Sequence, residues 1–247
     1  MSNTLGFQIT KNDTSFMVSS KCRAWFMNCI DNTAGRKWEN PVFKMIDKYK
    51  NINGDFLDIG SWNGVFSLYA SNKFSKVIAI ECDPKALVKI HNNILLSNFN
   101  NISVLPIALS DTDEIRDFGG DRMGNSMSSL FPKNVNKIIK IQTTNINSTN
   151  INFNKLSLVK MDIEGAEILV IPTLLNNKTF MLNLPPLLLS LHWYSEKNYN
   201  FPKDYDIIEV VAKLNMVYHT IINVTNRKVV SITDILDNEL SNLLFIK

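Results

Sequence analysis

The stretch GDFLDIGSWNG, residues 54–64, decides how this chain folds. Its apolar run ends at Ile59, and such a continuous run is typical of a parallel strand that is buried on both faces. Gly60 and Gly64 then frame a polar turn, and the apolar residues after it recur at helical spacing. The order of strand, glycine-rich turn and helix predicts an open α/β sheet that binds its ligand at the carboxyl ends of the strands.

The glycine turn departs from the dinucleotide-binding pattern. That pattern is G-x-G-x-x-G, whereas here Ser61 and Asn63 lie between two glycines and the middle glycine is missing. Asp58 precedes the turn, and an acid there suits a cationic ammonium better than a pyrophosphate. This arrangement resembles the pattern of S-adenosylmethionine (SAM) methyltransferases, and a purely structural turn is the alternative reading of the motif alone. An NAD-type oxidoreductase and a catalytically silent SAM-binding protein remain as alternatives.

The composition indicates one enzyme-sized domain. We expect the 247 residues to form a single domain, with residues 1–50 as a helical or lid segment and residues 51–247 as the core. A net charge of +3 is too small to suggest nucleic acid as a partner. Cys22, Cys29 and Cys82 lack metal-ligand spacing, which predicts reduced thiols and a cytoplasmic location. No apolar run is long enough to span a membrane.

A second acid follows the next predicted strand. Residues 76–80 form a mostly apolar run that is followed by Glu81, and Asp83 with Pro84 then begins a helix. Glu81 comes some 20 residues after the glycine turn, where nucleoside-binding α/β folds place the acid that accepts hydrogen bonds from ribose. Cys82 is expected beside it. The sequence therefore predicts a nucleoside site across the first two strands.

The third strand is predicted at residues 102–105. Its carboxyl end leads to Ala108 and Leu109, which we expect beside the adenine, and to Asp111, which can reach the exocyclic amine or cap the turn. Residues 119–129 are small and polar, and loops of this kind often carry function. A further strand at residues 137–142 is expected at a sheet edge.

The stretch LSLVKMDIEGAE, residues 156–167, repeats the arrangement of an apolar strand followed by acids. Asp162 ends the strand and should face the ligand crevice, and Glu164 begins the turn. Glu167 falls in the first turn of the next helix, where the macrodipole favours an anion. We therefore expect a second cluster of acids beside the first.

Three motifs give the chain its resemblance to a known family: FLDIGxxxG from Phe56, ALSD from Ala108 and VKMDIEGAE from Val159. With this order and spacing the chain resembles the FkbM-type SAM-dependent methyltransferases. The resemblance implies an α/β, Rossmann-like class I methyltransferase fold. Its sheet would have seven mostly parallel strands, an antiparallel C-terminal hairpin and helices on both faces. It also implies methylation of a hydroxyl oxygen on a sugar, glycan or small metabolite.

The residues predicted to bind SAM are Asp58, Gly60, Ser61, Asn63, Gly64, Glu81, Cys82, Ala108, Leu109, Asp111 and Asp162. The rest of the chain should complete the sheet. A fifth strand is predicted at residues 187–191, a helix at residues 204–214, and the last two strands at residues 216–224 and 241–246.

The reaction needs a base, and His192 at the end of the fifth strand is the first candidate. With a reference pKa of about 6.5, a neutral imidazole is expected at neutral pH. Asp162 and Glu164 are rival bases, and the same pair could instead hold a Mg²⁺ ion that orients the substrate. No dedicated metal-ligand set is predicted.

Overall fold

An eight-stranded, mostly parallel sheet forms the centre of the computed structural model, which describes residues 5–133, 137–193, 199–203 and 205–247. In spatial order its strands are β12 (Lys228–Val229), β11 (Thr220–Asn223), β13 (Asn242–Ile246), β10 (Leu187–Ser190), β9 (Leu156–Met161), β3 (Asn51–Ile59), β4 (Phe74–Ile80) and β5 (Ile102–Leu105). The five strands from β10 to β5 are parallel, and β13 and β11 are antiparallel to their neighbours. This arrangement confirms the predicted fold class.

The C-terminal part of the sheet differs from the prediction in two details. An eighth strand, β12, extends the edge by pairing Lys228 and Val229 with β11. The strand expected from residue 216 begins at Thr220 instead, because the helix α7 (Ile207–Val217) continues through the start of that range. Asp204, where this helix was predicted to begin, lies outside the described residues.

Helices cover both faces of the sheet. Besides α7 they are α1 (Ser20–Cys29), α2 (Asn40–Lys48), α3 (Val65–Ala70), α4 (Pro84–Ser97), α5 (Glu167–Leu175), α6 (Lys178–Asn183) and α8 (Ile232–Asp237). Successive residues of a strand point to opposite faces. Phe56 of β3 accordingly packs in one core with α1, α2 and α3, and Leu57 packs in another with α5 and α7. Burial on both faces explains why β3 is apolar without alternation.

A β-hairpin begins the described chain. Its strands β1 (Gly6–Lys11) and β2 (Thr14–Ser19) are antiparallel. Ser19 N–H donates to Oδ1 of Asn93 in α4 (2.9 Å), and Asn93 Nδ2 donates to the backbone oxygen of Asn63 (3.1 Å). The buried Asn93 side chain therefore connects the hairpin to the glycine turn.

A second, three-stranded sheet lies apart from the main one. Its order is β6 (Ala108–Ser110), β8 (Ile138–Asn145) and β7 (Ile115–Gly119). The strand expected at an edge, β8, is central here because it pairs in parallel with β6 and antiparallel with β7. Two 3-10 turns, Ile146–Ser148 and Phe153–Lys155, then lead into β9. Within the described part of the chain, every helix is too short or too polar to cross a bilayer.

Candidate active site

The turn after β3 requires glycine at both ends. Gly60 and Gly64 have φ angles of +80° and +84°, in the left-handed region that glycine adopts without steric cost. A Cβ on Gly60 would lie 1.8 Å from the backbone oxygen of Asp162, and one on Gly64 would lie 2.6 Å from Cγ1 of Ile90. We expected Gly60 to admit a ligand. In the structure, the missing side chain of Gly60 instead allows the backbone after β9 to approach closely. The two acid-bearing motifs are thereby in contact.

Glu81 lies at the carboxyl end of β4, beside this turn. One carboxylate oxygen accepts hydrogen bonds from the backbone N–H groups of Cys82 (2.8 Å) and Asp83 (2.7 Å), and the other accepts one from Trp62 N–H (2.7 Å). Burial raises the pKa of Glu81 to about 7, although the three backbone donors favour the charged form. Neutral backbone groups therefore fix this acid in place.

A first pocket, of about 580 Å³ including space open to solvent, lies beside Glu81. Its apolar wall is formed mainly by Ile59, Ile80, Ile107, Ala108, Leu109 and Ala166. Glu81, Cys82 and Asp162 line the same pocket. The structure thus brings together six of the predicted cofactor residues: Gly60, Glu81, Cys82, Ala108, Leu109 and Asp162.

The loop of residues 119–129 forms another wall of the first pocket. Asp83 caps α4 with one carboxylate oxygen and uses the other to accept hydrogen bonds from Gly124 N–H and from Ser128 Oγ (3.1 Å). The indole N–H of Trp62 donates to the backbone oxygen of Gly124 (3.1 Å). These bonds attach the loop to the glycine turn and to the start of α4.

A second pocket, of about 1180 Å³ including space open to solvent, adjoins the first. Gly60, Trp62, Ser126, Asp162 and Glu164 line both pockets. The second pocket is rich in aromatic and charged side chains, among them Trp38, Phe66, Trp193, Glu39, Lys160 and His192. Ser61 also lines it, so that the two pockets together contain seven of the predicted cofactor residues.

His192 follows β10 and lies between carboxylates. Its Nε2 is 3.1 Å from Oε2 of Glu164 and 3.8 Å from Oδ1 of Asp162, and its Nδ1 is 3.1 Å from Oε1 of Glu167. Tyr199 donates a hydrogen bond from its hydroxyl to Glu164. The three candidate catalytic residues therefore form one cluster, with Glu167 as its fourth member.

Sequence reasoning missed the role of Glu167. We expected an ordinary acid in the first turn of a helix, but its side chain is fully buried. Its two carboxylate oxygens accept hydrogen bonds from the backbone N–H groups of Ile163 and Gly165, both at 2.9 Å. The three-residue spacing from Glu164 was the available signal, but only the packing of α5 against the end of β10 identifies the histidine as the partner.

The charges of the cluster correct our expectation of a neutral His192. Burial lowers the pKa of His192, but Glu167 and Glu164 outweigh that effect and hold the pKa well above its usual value. Burial also raises the pKa of Asp162, yet Lys160 and His192 bring it below the ordinary value. The pKa of Glu164 remains raised by burial despite its contact with His192. At neutral pH the structure therefore contains an imidazolium between carboxylates.

Four residues predicted to bind the cofactor lie outside both pockets: Asp58, Asn63, Gly64 and Asp111, all of them among the described residues. Asp58 is fully buried, where burial raises its pKa, and it accepts a hydrogen bond from Ser67 Oγ at 2.6 Å. Asp111 forms an ion pair with Arg116 at 2.8 Å. Asp58 is thus buried outside the pockets, whereas Asp111 forms its ion pair at the surface.

The cluster contains donor atoms of the kinds that bind metals. Ligand atoms of Asp162, Glu167 and His192 lie within 4.8 Å of one another. Each atom of Glu167 that could bind a metal already accepts a backbone hydrogen bond, and Nδ1 of His192 contacts the same carboxylate. These potential metal ligands therefore already bind one another or the backbone, as the members of a hydrogen-bonded network do.

The fold and the acid-lined pockets at the carboxyl ends of β3, β4 and β9 define a Rossmann-like domain of the SAM-dependent methyltransferase type. The family model of the methyltransferase FkbM domain matches residues 58–214, which is more than half of the chain. The chain belongs to the FkbM methyltransferase domain family. This confirms the resemblance predicted from the sequence. No curated protein matches it significantly.

Several solved structures are similar to the chain at low identity. The FkbM methyltransferase of Methylobacillus flagellatus KT is 18% identical with a TM-score of 0.40, over 56% of this chain and 32% of that one. The chain thus spans about a third of that protein. A TehB-like SAM-dependent methyltransferase from Corynebacterium glutamicum is 10% identical with a TM-score of 0.45, covering 86% and 90%. A SAM-dependent methyltransferase from Aquifex aeolicus is 13% identical with a TM-score of 0.43, covering 84% and 90%.

Proposed function

We propose that this protein transfers a methyl group from SAM to a hydroxyl oxygen of a small molecule or glycan. The pair of adjoining pockets carries the proposal. The first pocket is largely apolar with one buried acid, and the second contains the charged cluster. A cofactor that crosses Gly60 from the first pocket to the second would present its reactive group next to Asp162 and Glu164.

The first pocket suits the adenosine part of SAM. A carboxylate can accept about four hydrogen bonds, and Glu81 accepts three from backbone donors. The remaining capacity fits a ribose hydroxyl. Ala108 and Leu109 supply the small apolar surface that an adenine ring needs. In this proposal Asp58, Asn63, Gly64 and Asp111 support the pocket without contacting the cofactor.

Glu164 is the proton acceptor that the electrostatics favour. SAM supplies a methyl group activated by a sulfonium, and its transfer forms the new C–O bond as the S–C bond breaks. The hydroxyl proton must leave, and a positioned base contributes about 10²–10⁴-fold to such a step. An imidazolium cannot accept that proton. Of the two carboxylates, Glu164 has the raised pKa and is therefore the stronger base, whereas the pKa of Asp162 is lowered.

His192 then has a different part from the one first expected. Its Nε2 lies 3.1 Å from Oε2 of Glu164, and Glu167 fixes the ring from the other side. The imidazolium can hold Glu164 in position and stabilise its charge before it accepts the proton. Alignment of the methyl donor and the acceptor supplies the larger part of the catalysis, because holding two reactants in a reactive geometry can lower the activation barrier by roughly 7–11 kcal/mol.

The lining of the second pocket is complementary to a methyl acceptor that has both apolar C–H faces and hydroxyl groups. Trp38, Phe66 and Trp193 offer apolar surface, and the charged and hydroxyl side chains offer hydrogen bonds. A sugar, a glycan end or a polyol has this mixed character. The described residues that line this pocket do not form a basic patch of the kind that would suggest nucleic acid as the acceptor.

Two measurements test the proposed function. Calorimetric titration with SAM, S-adenosylhomocysteine and NAD should show binding of the first two only. Labelled SAM should then methylate members of a panel of sugars and hydroxylated metabolites, with mass spectrometry locating the methyl group on oxygen. Binding without turnover across the panel would favour the catalytically silent alternative. We expect turnover to survive dialysis against EDTA, and dependence on added Mg²⁺ would instead support the metal alternative at Asp162 and Glu164.

A further inference from the structure

An acid from the segment before the core reaches the second pocket. Glu39 precedes α2, and its side chain makes no capping hydrogen bond to that helix. Its backbone is left-handed with φ +48°, a conformation that costs a non-glycine residue about 1–3 kcal/mol, and such strained residues cluster at functional sites as well as in turns and helix caps. The side chain instead lines the pocket with Gly60 and Asp162. Glu39 lies outside the residues that match the family model.

A chain of aromatic rings holds Glu39 near the glycine turn. Trp38 stacks on Phe66 of α3, with ring centroids 5.5 Å apart and planes at 19°. Trp25 contacts Trp38 edge-on at 5.1 Å and Trp62 of the glycine turn at 4.7 Å. This packing holds the segment around Trp38 against the glycine turn. The position of Glu39 relative to Gly60 is therefore fixed by the aromatic contacts.

The carboxylate of Glu39 lacks a partner. The described residues offer it no hydrogen bond, and its nearest charges have opposite effects. Burial and the neighbouring Asp162 raise the pKa of Glu39, whereas Lys160 lowers it. Lys160 is itself 3.3 Å from Asp162. Glu39 and Asp162 thus line one pocket with Lys160, which is paired with Asp162, and a cation beside Glu39 would be favourable.

A second group in this pocket also lacks a partner. Ser61 is 2% exposed, and among the described residues its Oγ has no hydrogen-bond partner. It follows Gly60 in the chain and lines the same pocket as Lys160. A hydroxyl and an ammonium can bind a carboxylate, and an unpaired carboxylate can bind an ammonium. Together, Glu39, Ser61 and Lys160 offer what an α-amino acid needs.

We propose that Glu39 binds the α-ammonium of the methionyl part of SAM, with Ser61 receiving its carboxylate. This assignment rests on the proposed function, because it takes the adenosine part to occupy the first pocket. A ligand that lies over Gly60 would bring its amino-acid end to this wall. The segment before the core would then contribute directly to cofactor binding, and its aromatic contacts would serve to place one carboxylate.

Three probes isolate the contact in calorimetric titrations of the full chain. S-adenosylhomocysteine has the complete amino-acid end, 4-(5′-adenosylthio)butanoate lacks only the α-ammonium, and 5′-methylthioadenosine lacks the whole amino-acid end. A charge-assisted hydrogen bond implies that Glu39→Gln weakens S-adenosylhomocysteine binding roughly 10- to 100-fold. The affinities of the other two probes should not change. Their binding also reports that the variant is folded.

Glu239→Gln is the matched control. It removes one carboxylate from the β13 side of the same pocket, and S-adenosylhomocysteine affinity should not fall as it does for Glu39→Gln. Equal losses in both variants would mean that total pocket charge matters, which would overturn the assignment. So would an equal loss for the homocysteine and butanoate probes, or a lower turnover of Glu39→Gln with unchanged affinity. If the wild type bound none of the probes, the proposed function itself would fail.

Discussion

The end of β4 and the neighbouring ends of β9 and β10 stabilise their carboxylates in different ways. At the end of β4, Glu81 is held by backbone N–H groups from its own turn and from Trp62. At the ends of β9 and β10, Asp162, Glu164 and Glu167 surround His192, and Lys160 pairs with Asp162. Burial keeps the pKa of Glu81 raised despite its neutral donors, whereas Lys160 and His192 lower the pKa of Asp162 against the effect of burial. The first arrangement suits recognition of neutral hydroxyls, and the second suits handling of charge and protons.

Removing the proposed base gives the largest expected effect. Glu164→Gln keeps the shape of the side chain but cannot accept the hydroxyl proton, so turnover should fall about 10²–10⁴-fold. SAM affinity should remain close to that of the wild type, as calorimetry would show. Asp162→Asn is the comparison, and a greater loss there would transfer the role to Asp162.

The pH dependence of the wild-type rate distinguishes Glu164 from His192. If Glu164 accepts the proton, the rate rises as Glu164 ionises, above the usual glutamate pKa, and then levels off. If His192 accepts it, the rate continues to rise above neutral pH, because the pKa of His192 is well above its usual value. The second profile would restore His192 as the base.

Glu167 should matter most for stability. Glu167→Ala leaves two backbone N–H groups without an acceptor and leaves the imidazolium short of one counter-charge in a buried position. Breaking a buried charge pair costs about 3–5 kcal/mol, measurable by urea unfolding at pH 7. Glu167→Gln retains an acceptor and should lose less. If both variants unfolded like the wild type, the cluster would not be a structural unit.

Glu81 should matter for binding. Glu81→Ala removes the hydrogen bond to the ribose, worth about 1.5–3 kcal/mol when the acceptor is charged, so SAM should bind at least about tenfold more weakly. The variant should remain folded by circular dichroism. Unchanged SAM affinity in a folded Glu81→Ala protein would remove the ribose assignment, while the cluster around His192 would keep its interpretation.

The last expected effect is a pH-dependent difference in stability. Because folding raises the pKa of Glu81 from its usual value to about 7, its contribution to stability is present at low pH and is lost as the pH rises toward 7. Glu81→Gln should therefore gain about 1–3 kcal/mol on the wild type between pH 4.5 and 7.5. Urea unfolding at both values measures the gain. A difference independent of pH would show that burial does not perturb Glu81.

Much of the sheet could be predicted from the sequence. The strands β3, β4, β5 and β9 follow from short apolar runs, and the turns follow from glycine or from an acid with proline at a helix start. The position of Glu81 could also be predicted, because this acid ends an apolar run some 20 residues after the glycine turn. Local periodicity and local hydrogen bonding are properties of neighbouring residues, and a linear sequence displays them.

The sequence by itself determined the fold class, the family, the position of Glu81 after the second parallel strand, and the presence of a cluster of acids with a histidine. Only the tertiary structure decided that Glu167 is the partner of His192, that Gly60 packs against Asp162, and that β8 is central in a separate sheet. It also decided that Glu39 faces the second pocket. Each of these contacts joins residues from different elements. Such contacts depend on strand order and helix packing, and so do the charges that keep His192 protonated.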